Sequence, residues 1–312
     1  MSRVAVLKGG RSLERQVSLK SGARVEEALR RLGHEVIEVD VGLDLVDRLS
    51  AQRPEVAFVV LHGRDGEDGT VQELLEVLGI PYTGSRVSAC IRASDKVLAK
   101  HAMRDAGIPT PDFYAFSETA FRSLGAAQAL PAISSRLNFP LVIKPASQGS
   151  ALGIKFARSA ADVPAALVAA FSYDRKVLLE RHVHGRELAI SILSDGDEPR
   201  ALPIVEAVPE QEDFYDFESR YEIGRTRFVC PAELDPALAL KAQKIALDAF
   251  KLLGCSAFAR VDLMLDAETS ELYVLEVNPI PGLTETSLLP QAADAAGIGF
   301  DDLIARILRA AA

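Results

Sequence analysis

The sequence predicts an α/β unit followed by smaller α+β units, and three observations support this fold class. Strand and helix patterns alternate through the first hundred residues, which is typical of a parallel sheet covered by helices on both faces. Later strand patterns have fewer helices between them, which favours antiparallel pairing. The length of 312 residues, of which 48% are hydrophobic, suggests two or three domains with substantial cores.

The first predicted domain spans residues 1–93. Its apolar runs and helical spacings predict, in chain order, a strand at 4–7, a helix at 18–32, a strand at 34–40, a helix at 43–51, a strand at 57–63 and a helix at 69–79. In the last helix, Leu74 and Leu75 are expected on the apolar side. Ligands of such sheets bind at the carboxyl ends of strands, which is where Gly10 and Gly63 fall.

The second and third predicted domains span residues 94–184 and 185–312. Ser94 is interpreted as the N-cap of a helix at 95–105, which Gly107 ends. The rest of the second domain is predicted as strands at 141–144, 153–157 and 177–180 and a helix at 160–171. The third is predicted as strands at 187–193 and 201–207, a mobile loop at 209–227, a helix at 236–253, strands at 257–265 and 272–278, and helices at 287–296 and 301–311.

Composition and charge exclude several classes of partner. The formal net charge of −9 argues against nucleic acid or an anionic membrane as the main partner. Three cysteines without C-x-x-C spacing indicate free thiols in a reducing compartment. The N-terminus lacks a secretory signal pattern, and no apolar run approaches the ~20 residues that span a bilayer. These features predict a cytoplasmic protein.

Two neighbouring C-terminal strands carry polar residues on one face. Alternation places Glu276 and Asn278 on the same side of one strand, and Arg260 and Asp262 on the same side of the other. The short connection between the strands predicts a hairpin. Two carboxylates about 4 Å apart repel by roughly 4 kcal/mol, so a cation is expected between them. It is either Mg²⁺, which takes carboxylate and phosphate oxygens, or Arg260 alone in an ion pair.

Lysines and a small-residue loop point to phosphate groups. Lys144 ends a strand and precedes a loop that contains Gly149, Ser150 and Gly153, whose backbone N–H groups could enclose a phosphate. Such a loop is otherwise a simple turn, and it is neither a Walker A sequence nor a dinucleotide fingerprint. Lys96, in the first turn of its helix, opposes the helix dipole, which hints at a functional use.

Eight segments, in this order, resemble the D-alanine–D-alanine ligases of the ATP-grasp superfamily over essentially the whole chain. They are LKGGRSLERQVSLKSG, LHGRDGEDGTVQ, PYTGS, SDKVLAK, VIKPASQGSALG, FYDFESRY, ARVDLMLD and LEVNPIPGLTETSLLP. The resemblance implies a three-domain ATP-grasp fold, in which an N-terminal parallel α/β domain precedes two α+β domains that clasp ATP. It also implies ATP and D-alanine as substrates, two Mg²⁺ or Mn²⁺ ions, a possible monovalent cation, a homodimer and a role in peptidoglycan precursor synthesis.

The resemblance assigns roles to individual residues. The implied ATP-binding residues are Lys96 and Lys144 at the phosphates, Glu180 at adenine, Glu187 at ribose, and also Val183 and Arg220. The implied metal ligands are Asp262, Glu276 and Asn278. The implied catalytic residues are Glu14, Ser150, Tyr221, Arg260 and Gly282, and the implied substrate-binding residues are Glu14, His62, Arg260, Gly282, Ser287 and Leu288. Without the resemblance, Glu14 would be read as an exposed carboxylate at a helix N-terminus, and His62 as a structural histidine.

The chain departs from the family pattern at four positions near these residues. Arg220 stands where lysine is usual, and Ala151 replaces a serine of the phosphate loop. Gln16 and Pro279 replace a glutamate and a threonine. Two alternative functions follow, because such changes could alter specificity or activity: another ATP-grasp dipeptide or carboxylate–amine ligase, or a nucleotide-binding homologue without catalysis.

Overall fold

A computed structural model describes residues 1–194, 198–209 and 226–311 of the chain. The first part is a parallel sheet, as predicted, and its strand order is β2-β1-β3. Its strands are β1 (Arg3–Lys8), β2 (Glu35–Asp40) and β3 (Val56–Val59), and the helices beside them are α1 (Arg15–Arg31), α2 (Leu45–Gln52), α3 (Thr70–Leu78) and α4 (Val87–Ser94). In α3, Leu75 is buried but Leu74 is 37% exposed, so the expected inward position of Leu74 is wrong.

The second part is an antiparallel sheet in the order β4-β7-β5-β6. Its strands are β4 (Phe113–Ser117), β5 (Leu141–Pro145), β6 (Lys155–Ala157) and β7 (Lys176–Arg181). Its helices are α5 (Lys96–Asp105), α6 (Glu118–Ser123), a 3-10 turn at Ala126–Ala129, α7 (Leu130–Leu137) and α8 (Val163–Phe171). The sequence patterns predicted neither β4 nor the helices between 118 and 137, which are short and mostly exposed.

The start of α5 differs from the prediction by one residue. Ser94 is the last residue of α4, and its hydroxyl donates to the Ile91 carbonyl, so it is not the N-cap. Asp95 caps α5 instead, because its side chain accepts from the backbone N–H groups of Val97 and Leu98. A carboxylate and a hydroxyl are both good N-caps, so the sequence allowed either residue.

The third part is a larger antiparallel sheet, in the order β11-β10-β8-β12-β13 with β9 beside β8. Its strands are β8 (Gly185–Ser194), β9 (Pro199–Ala201), β10 (Val205–Pro209), β11 (Thr226–Val229), β12 (Phe258–Asp266) and β13 (Leu272–Asn278). Its helices are α9 (Pro236–Leu253), α10 (Leu288–Ala295) and α11 (Phe300–Arg309). One face of the sheet packs on α9, and part of the other packs on α10 and α11 in a core shared with α1 and the first sheet.

The predicted mobile loop at 209–227 overlaps a hairpin at both of its ends. Pro209 pairs with Thr226 in the antiparallel register of β10 and β11. The boundaries of that prediction are therefore wrong, since three of its residues lie in strands. Residues 210–225, which include Arg220 and Tyr221, lie outside the described residues. The three-domain division at 93/94 and 184/185 stays a prediction.

Helix α9 offers a direct test of local capping. Asp235 accepts hydrogen bonds from the N–H groups of Ala237 and Leu238 at 2.9 and 3.3 Å. We expect Asp235→Ala to lower stability by about 1 kcal/mol, seen as a Tm lower by about 2 °C. Asp44 precedes α2 at the equivalent position but makes no capping bond with its side chain. An Asp44→Ala control should therefore leave the Tm unchanged, and equal losses in the two variants would contradict the capping role.

Candidate active site

A cavity of about 790 Å³ separates the second sheet from the third. This volume falls within the range of small-molecule sites. Seven of the residues assigned from the sequence line it: Lys96, Lys144, Glu180, Val183, Glu187, Asp262 and Glu276. They come from five separate segments of the chain, which the two facing sheets bring together.

One wall of the cavity contains a buried charge cluster centred on Glu180. Lys144 Nζ lies 2.7 Å from Glu180 Oε1, and Lys100 Nζ lies 2.6 Å from Glu180 Oε2. Burial opposes ionisation of Glu180, but the two ammonium groups outweigh it and lower its pKa.

Sequence reasoning missed Lys100. The available signal was its i+4 spacing from Lys96, which places both lysines on one face of α5.

The far end of the cavity is mostly apolar. Phe139, Val142, Phe156 and Val183 line it, and His182 packs edge-on against Phe156 with ring centroids 5.2 Å apart. Burial lowers the pKa of His182, so its ring is favoured in the neutral form. This apolar slot, in a cavity that Glu180 also lines, suits a flat heteroaromatic ring.

The predicted C-terminal hairpin is confirmed, and its register brings the four polar residues together. Asp262 pairs directly with Glu276 across β12 and β13, and Arg260 pairs with Asn278. Arg260 holds Asp262 through two hydrogen bonds of 2.7 and 2.8 Å, so the ion pair weighed as an alternative is present. Asn278 also donates to Asp262, at 3.1 Å. Lys96 Nζ lies 2.9 Å from Glu276 Oε2.

The donor set of this hairpin fits a hard divalent cation. Two carboxylates and an amide oxygen are ligands that Mg²⁺ accepts, with its remaining positions open to water or phosphate oxygens. In the described part of the chain, no cluster of three or more His, Cys, Asp or Glu side chains is arranged to hold a metal. A metal bound by Asp262 and Glu276 would therefore need Asn278 and ligand oxygens to complete its coordination.

Glu14 is buried where the first part of the chain meets the phosphate loop. Its side chain is only 4% exposed, so the reading as an exposed helix-terminal carboxylate is wrong. Oε1 accepts from the Ser150 hydroxyl, and Oε2 is buried with no hydrogen-bond partner among residues 1–194, 198–209 and 226–311. A Cβ at Gly149 would lie 2.8 Å from Oε2, so a larger residue there would crowd the carboxylate. Burial, and then the nearby Glu67, raise the pKa of Glu14.

His62 connects the first part of the chain to the segment that follows the hairpin of β12 and β13. Its Nδ1 lies 3.1 Å from the Ile280 carbonyl oxygen, and its Nε2 lies 3.4 Å from Ser21 Oγ. Ser21 Oγ in turn accepts from the Leu283 N–H at 3.1 Å. Both ring nitrogens thus have protein partners, which is the arrangement expected of a structural histidine. Its predicted contact with a substrate stays a prediction.

The remaining assigned residues meet at the start of α10. Ser287 Oγ accepts from the Thr284 N–H at 3.0 Å, and a Cβ at position 282 would lie 2.6 Å from that oxygen. Gly282 therefore allows close approach of the two segments. Leu288 is the first residue of α10, and its N–H belongs to the unpaired group at the helix N-terminus, where anions bind favourably.

Two antiparallel sheets that face each other across a cavity lined by lysines and carboxylates define an ATP-grasp fold. The profile described as "D-ala D-ala ligase C-terminus" matches residues 102–309, and "D-ala D-ala ligase N-terminus" matches residues 43–85. The D-alanine–D-alanine ligase of Geotalea uraniireducens is 42% identical over 99% of this chain and 96% of its own. That of Syntrophotalea carbinolica is 44% identical over the same shares.

Solved structures of D-alanine–D-alanine ligases are also similar to this chain. The crystal structure of the Bacillus anthracis D-alanine–D-alanine ligase complexed with ATP superposes with a TM-score of 0.83 at 34% identity, covering 99% of this chain and 97% of that one. The Coxiella burnetii ligase gives 0.82 at 25% identity, covering 100% and 95%. The chain belongs to the D-alanine–D-alanine ligase family. The fold predicted from the resemblance is confirmed.

The raised pKa of Glu14 has a consequence for stability. A carboxyl group whose pKa is higher in the folded state than in the unfolded state lowers the free energy of unfolding as the pH rises from the unfolded pKa through the folded pKa. Above the folded pKa the ionised form is buried and this loss is complete. We expect Glu14→Gln, which cannot ionise, to raise the Tm relative to wild type at pH 8 by a few degrees, and to have little effect at pH 4. Calorimetry at the two pH values measures this.

Glu55, which is exposed, provides the control for this substitution. Glu55→Gln should leave the Tm unchanged at both pH values. If Glu14→Gln lowered the Tm at pH 8, ionised Glu14 would be a net stabilising group. The inference that burial raises the pKa of Glu14 would then be wrong.

Proposed function

We propose that this chain uses ATP to join two D-alanines into D-alanyl-D-alanine, a dipeptide for peptidoglycan precursors. One observation carries the proposal. Lys96 lines the large cavity and also a smaller one that borders Gly63, Gly149 and Asn278. A phosphate group beside Lys96 would therefore lie between the nucleotide cavity and the Glu14 region, where an amino-acid carboxylate could reach it. The family's name describes the same reaction.

The nucleotide is proposed to occupy the cavity with its base in the apolar slot. Glu180 accepts from the amino group of adenine, and Val183 supplies backbone contacts. Glu187 accepts from the ribose hydroxyls. Lys96 and Lys144 contact the phosphates, with Arg220 near the γ-phosphate. The burial of these lysines, each less than 10% exposed, strengthens their attraction for phosphate oxygens.

Asp262, Glu276 and Asn278 are proposed to hold two Mg²⁺ or Mn²⁺ ions. When bound, the ions would neutralise charge on the triphosphate. Arg260 pairs with Asp262, and Lys96 pairs with Glu276, so that each carboxylate has a cation beside it. When metal ions bind the carboxylates, Arg260 and Lys96 are proposed to contact substrate oxygens.

The proposed reaction has two steps, a phosphoryl transfer and an acyl transfer. The carboxylate of the first D-alanine attacks the γ-phosphorus of ATP, which forms D-alanyl phosphate and releases ADP. The neutral amine of the second D-alanine then attacks the acyl carbon, loses a proton and displaces inorganic phosphate. The protein's part in the first step is alignment and charge neutralisation. In the second, Arg260 and the Gly282 N–H are proposed to stabilise the oxyanion.

The two amino acids are proposed to be held at opposite ends of the reacting centre. Glu14, whose Oε2 is buried without a hydrogen-bond partner in the described residues, pairs with the ammonium group of the first D-alanine. His62 lies near that substrate. Ser287 and the Leu288 N–H bind the carboxylate of the second. Tyr221, with Ser150 and Glu14, closes the site against water, which protects the acyl phosphate.

Product analysis tests the function directly. Mass spectrometry after incubation with ATP, Mg²⁺ and D-alanine should show D-alanyl-D-alanine, ADP and phosphate, with no dipeptide when Mg²⁺ is omitted. Activity with L-amino acids only would indicate a different dipeptide ligase. Tight ATP binding without phosphate release would indicate a homologue that binds nucleotide without catalysis.

Arg260 should contribute strongly to the rate. We expect Arg260→Ala to reduce kcat by about 10²- to 10³-fold, the usual cost of losing one oxyanion donor. Arg31 provides a matched control, because it also binds an aspartate, Asp301, through two short hydrogen bonds but lies on the surface. Arg31→Ala should keep kcat within twofold. If Arg260→Ala changed only KM, Arg260 would be a binding residue without a part in the second step.

We also propose that the protein works in the cytoplasm as a homodimer that associates through its first domain. Leu74 and Val77 on α3 and Ile91 on α4 are exposed by 37%, 78% and 45%, which is consistent with an interface on these helices. Sedimentation velocity should give a dimer for wild type and a monomer for Val77→Asp. Monomeric wild-type protein at micromolar concentration would contradict the proposal.

A further inference from the structure

Lys100 is a fully buried lysine that the proposed reaction does not use. Its side chain is 0% exposed, and lysines are almost never fully buried unless they are paired. Its Nζ lies 2.6 Å from Glu180 Oε2 and donates to the Thr110 hydroxyl. Thr110 Oγ1 donates to the Val274 carbonyl at 2.8 Å. These contacts anchor Lys100 to β7, to the segment before β4 and to β13.

The two lysines that contact Glu180 differ in their access to the cavity. Lys144 lines the cavity, so a bound phosphate can attract its ammonium group. Lys100 is not among the cavity-lining residues, and its contacts are with the protein on the far side of Glu180. When Lys144 turns to a phosphate, Glu180 keeps Lys100 as its neighbouring cation.

The charge state of Glu180 determines which base it can recognise. An ionised carboxylate only accepts hydrogen bonds, whereas a protonated one can also donate. A buried carboxylate without a nearby cation takes up a proton. Loss of the cation would therefore convert Glu180 from an acceptor, which suits an exocyclic amino group, into a group that also suits a carbonyl oxygen.

We propose that Lys100 is a positioning residue for base selection: it holds Glu180 ionised and in place, so that Glu180 selects a 6-amino purine over a 6-oxo purine. The inference rests on the proposed function, in which Glu180 meets the adenine amino group. Lys100 itself touches neither substrate nor reacting atoms.

The surroundings of Lys100 give a second way to test the proposal. Charged groups face it from three strands: Glu180 on β7, Lys144 on β5 and Glu276 on β13. Burial is the largest influence and lowers the pKa of Lys100 to about 8, against the attraction of the two glutamates. Lys100 therefore loses its charge as the pH rises above about 8, and the support that it gives Glu180 falls with it.

Calorimetric titration of the full-length protein with ATP and with ITP, without amino acid, tests the inference. The two nucleotides differ at C6, which carries an amino group in ATP and a carbonyl oxygen in ITP. Wild type should bind ATP at least tenfold more tightly than ITP at pH 7. Lys100→Met should reduce this preference at least fivefold while keeping kcat at saturating ATP and the KM for D-alanine within twofold. Lys244→Met, which removes an exposed, ion-paired lysine from α9, is the control and should match wild type.

A double variant separates positioning from general damage. If Lys100 acts through Glu180, Lys100→Met should add nothing to the loss of preference caused by Glu180→Gln. An unchanged preference for ATP over ITP in Lys100→Met would overturn the proposal. It would also be overturned if the double variant lost more of this preference than Glu180→Gln alone.

The pH dependence of wild type keeps the inference testable if Lys100→Met does not fold. The Kd of wild type for ATP should rise between pH 7 and pH 9, whereas that of Glu180→Gln should not. A flat wild-type profile would overturn the proposal. Because binding is measured without D-alanine, these outcomes do not depend on the ligation reaction, and failure to form dipeptide would reject only the proposed function.

Discussion

The constraint on which the site depends is the neutralisation of buried charge between two facing sheets. Glu180 and Asp262 are both buried; Glu180 is held by lysines from α5 and β5, and Asp262 by Arg260 on its own strand. A buried ion without a partner costs several kcal/mol, so the lysines and the arginine must be in place before any ligand arrives. The cleft is therefore lined by carboxylates and cations that are already paired with each other. The cations could pair with a triphosphate instead if metal ions took over the carboxylates.

The hairpin of β12 and β13 places this chemistry beside the first part of the chain. After β13, residues 279–287 contact α1 and the first sheet through His62, Ser21 and Arg24, whose guanidinium donates to the Leu283 carbonyl at 2.7 Å. The shared core of α1, α10 and α11 fixes the same relationship over a larger apolar area. The position of Gly282 and Ser287 relative to Glu14 thus follows from packing that is remote from the cleft.

Two strained residues and one unpaired polar atom lie at the same junction. Ser150 and Ala151 both have positive φ, of 51° and 57°, which costs free energy for residues other than glycine. Glu14 Oε2 is buried and has no hydrogen-bond partner in the part of the chain that the structure describes. Both features oppose folding and make sense where a ligand will bind, because a substrate cation would satisfy the carboxylate and a phosphate would meet the loop. Stability elsewhere in the fold offsets these costs.

The sequence by itself determined the fold class, the C-terminal hairpin and helix α9 at its observed bounds, because these depend on periodicity, turn signals and segment order. Seven of the residues that line the cavity were named from the resemblance of the sequence to a family. Only the tertiary structure decided the burial of Glu14, the engagement of both His62 nitrogens and the pairing of Lys100 with Glu180. Each of these depends on contacts between segments that are far apart in the chain. A lysine four residues after another reads as a solvent-exposed charge until packing encloses it beside a carboxylate.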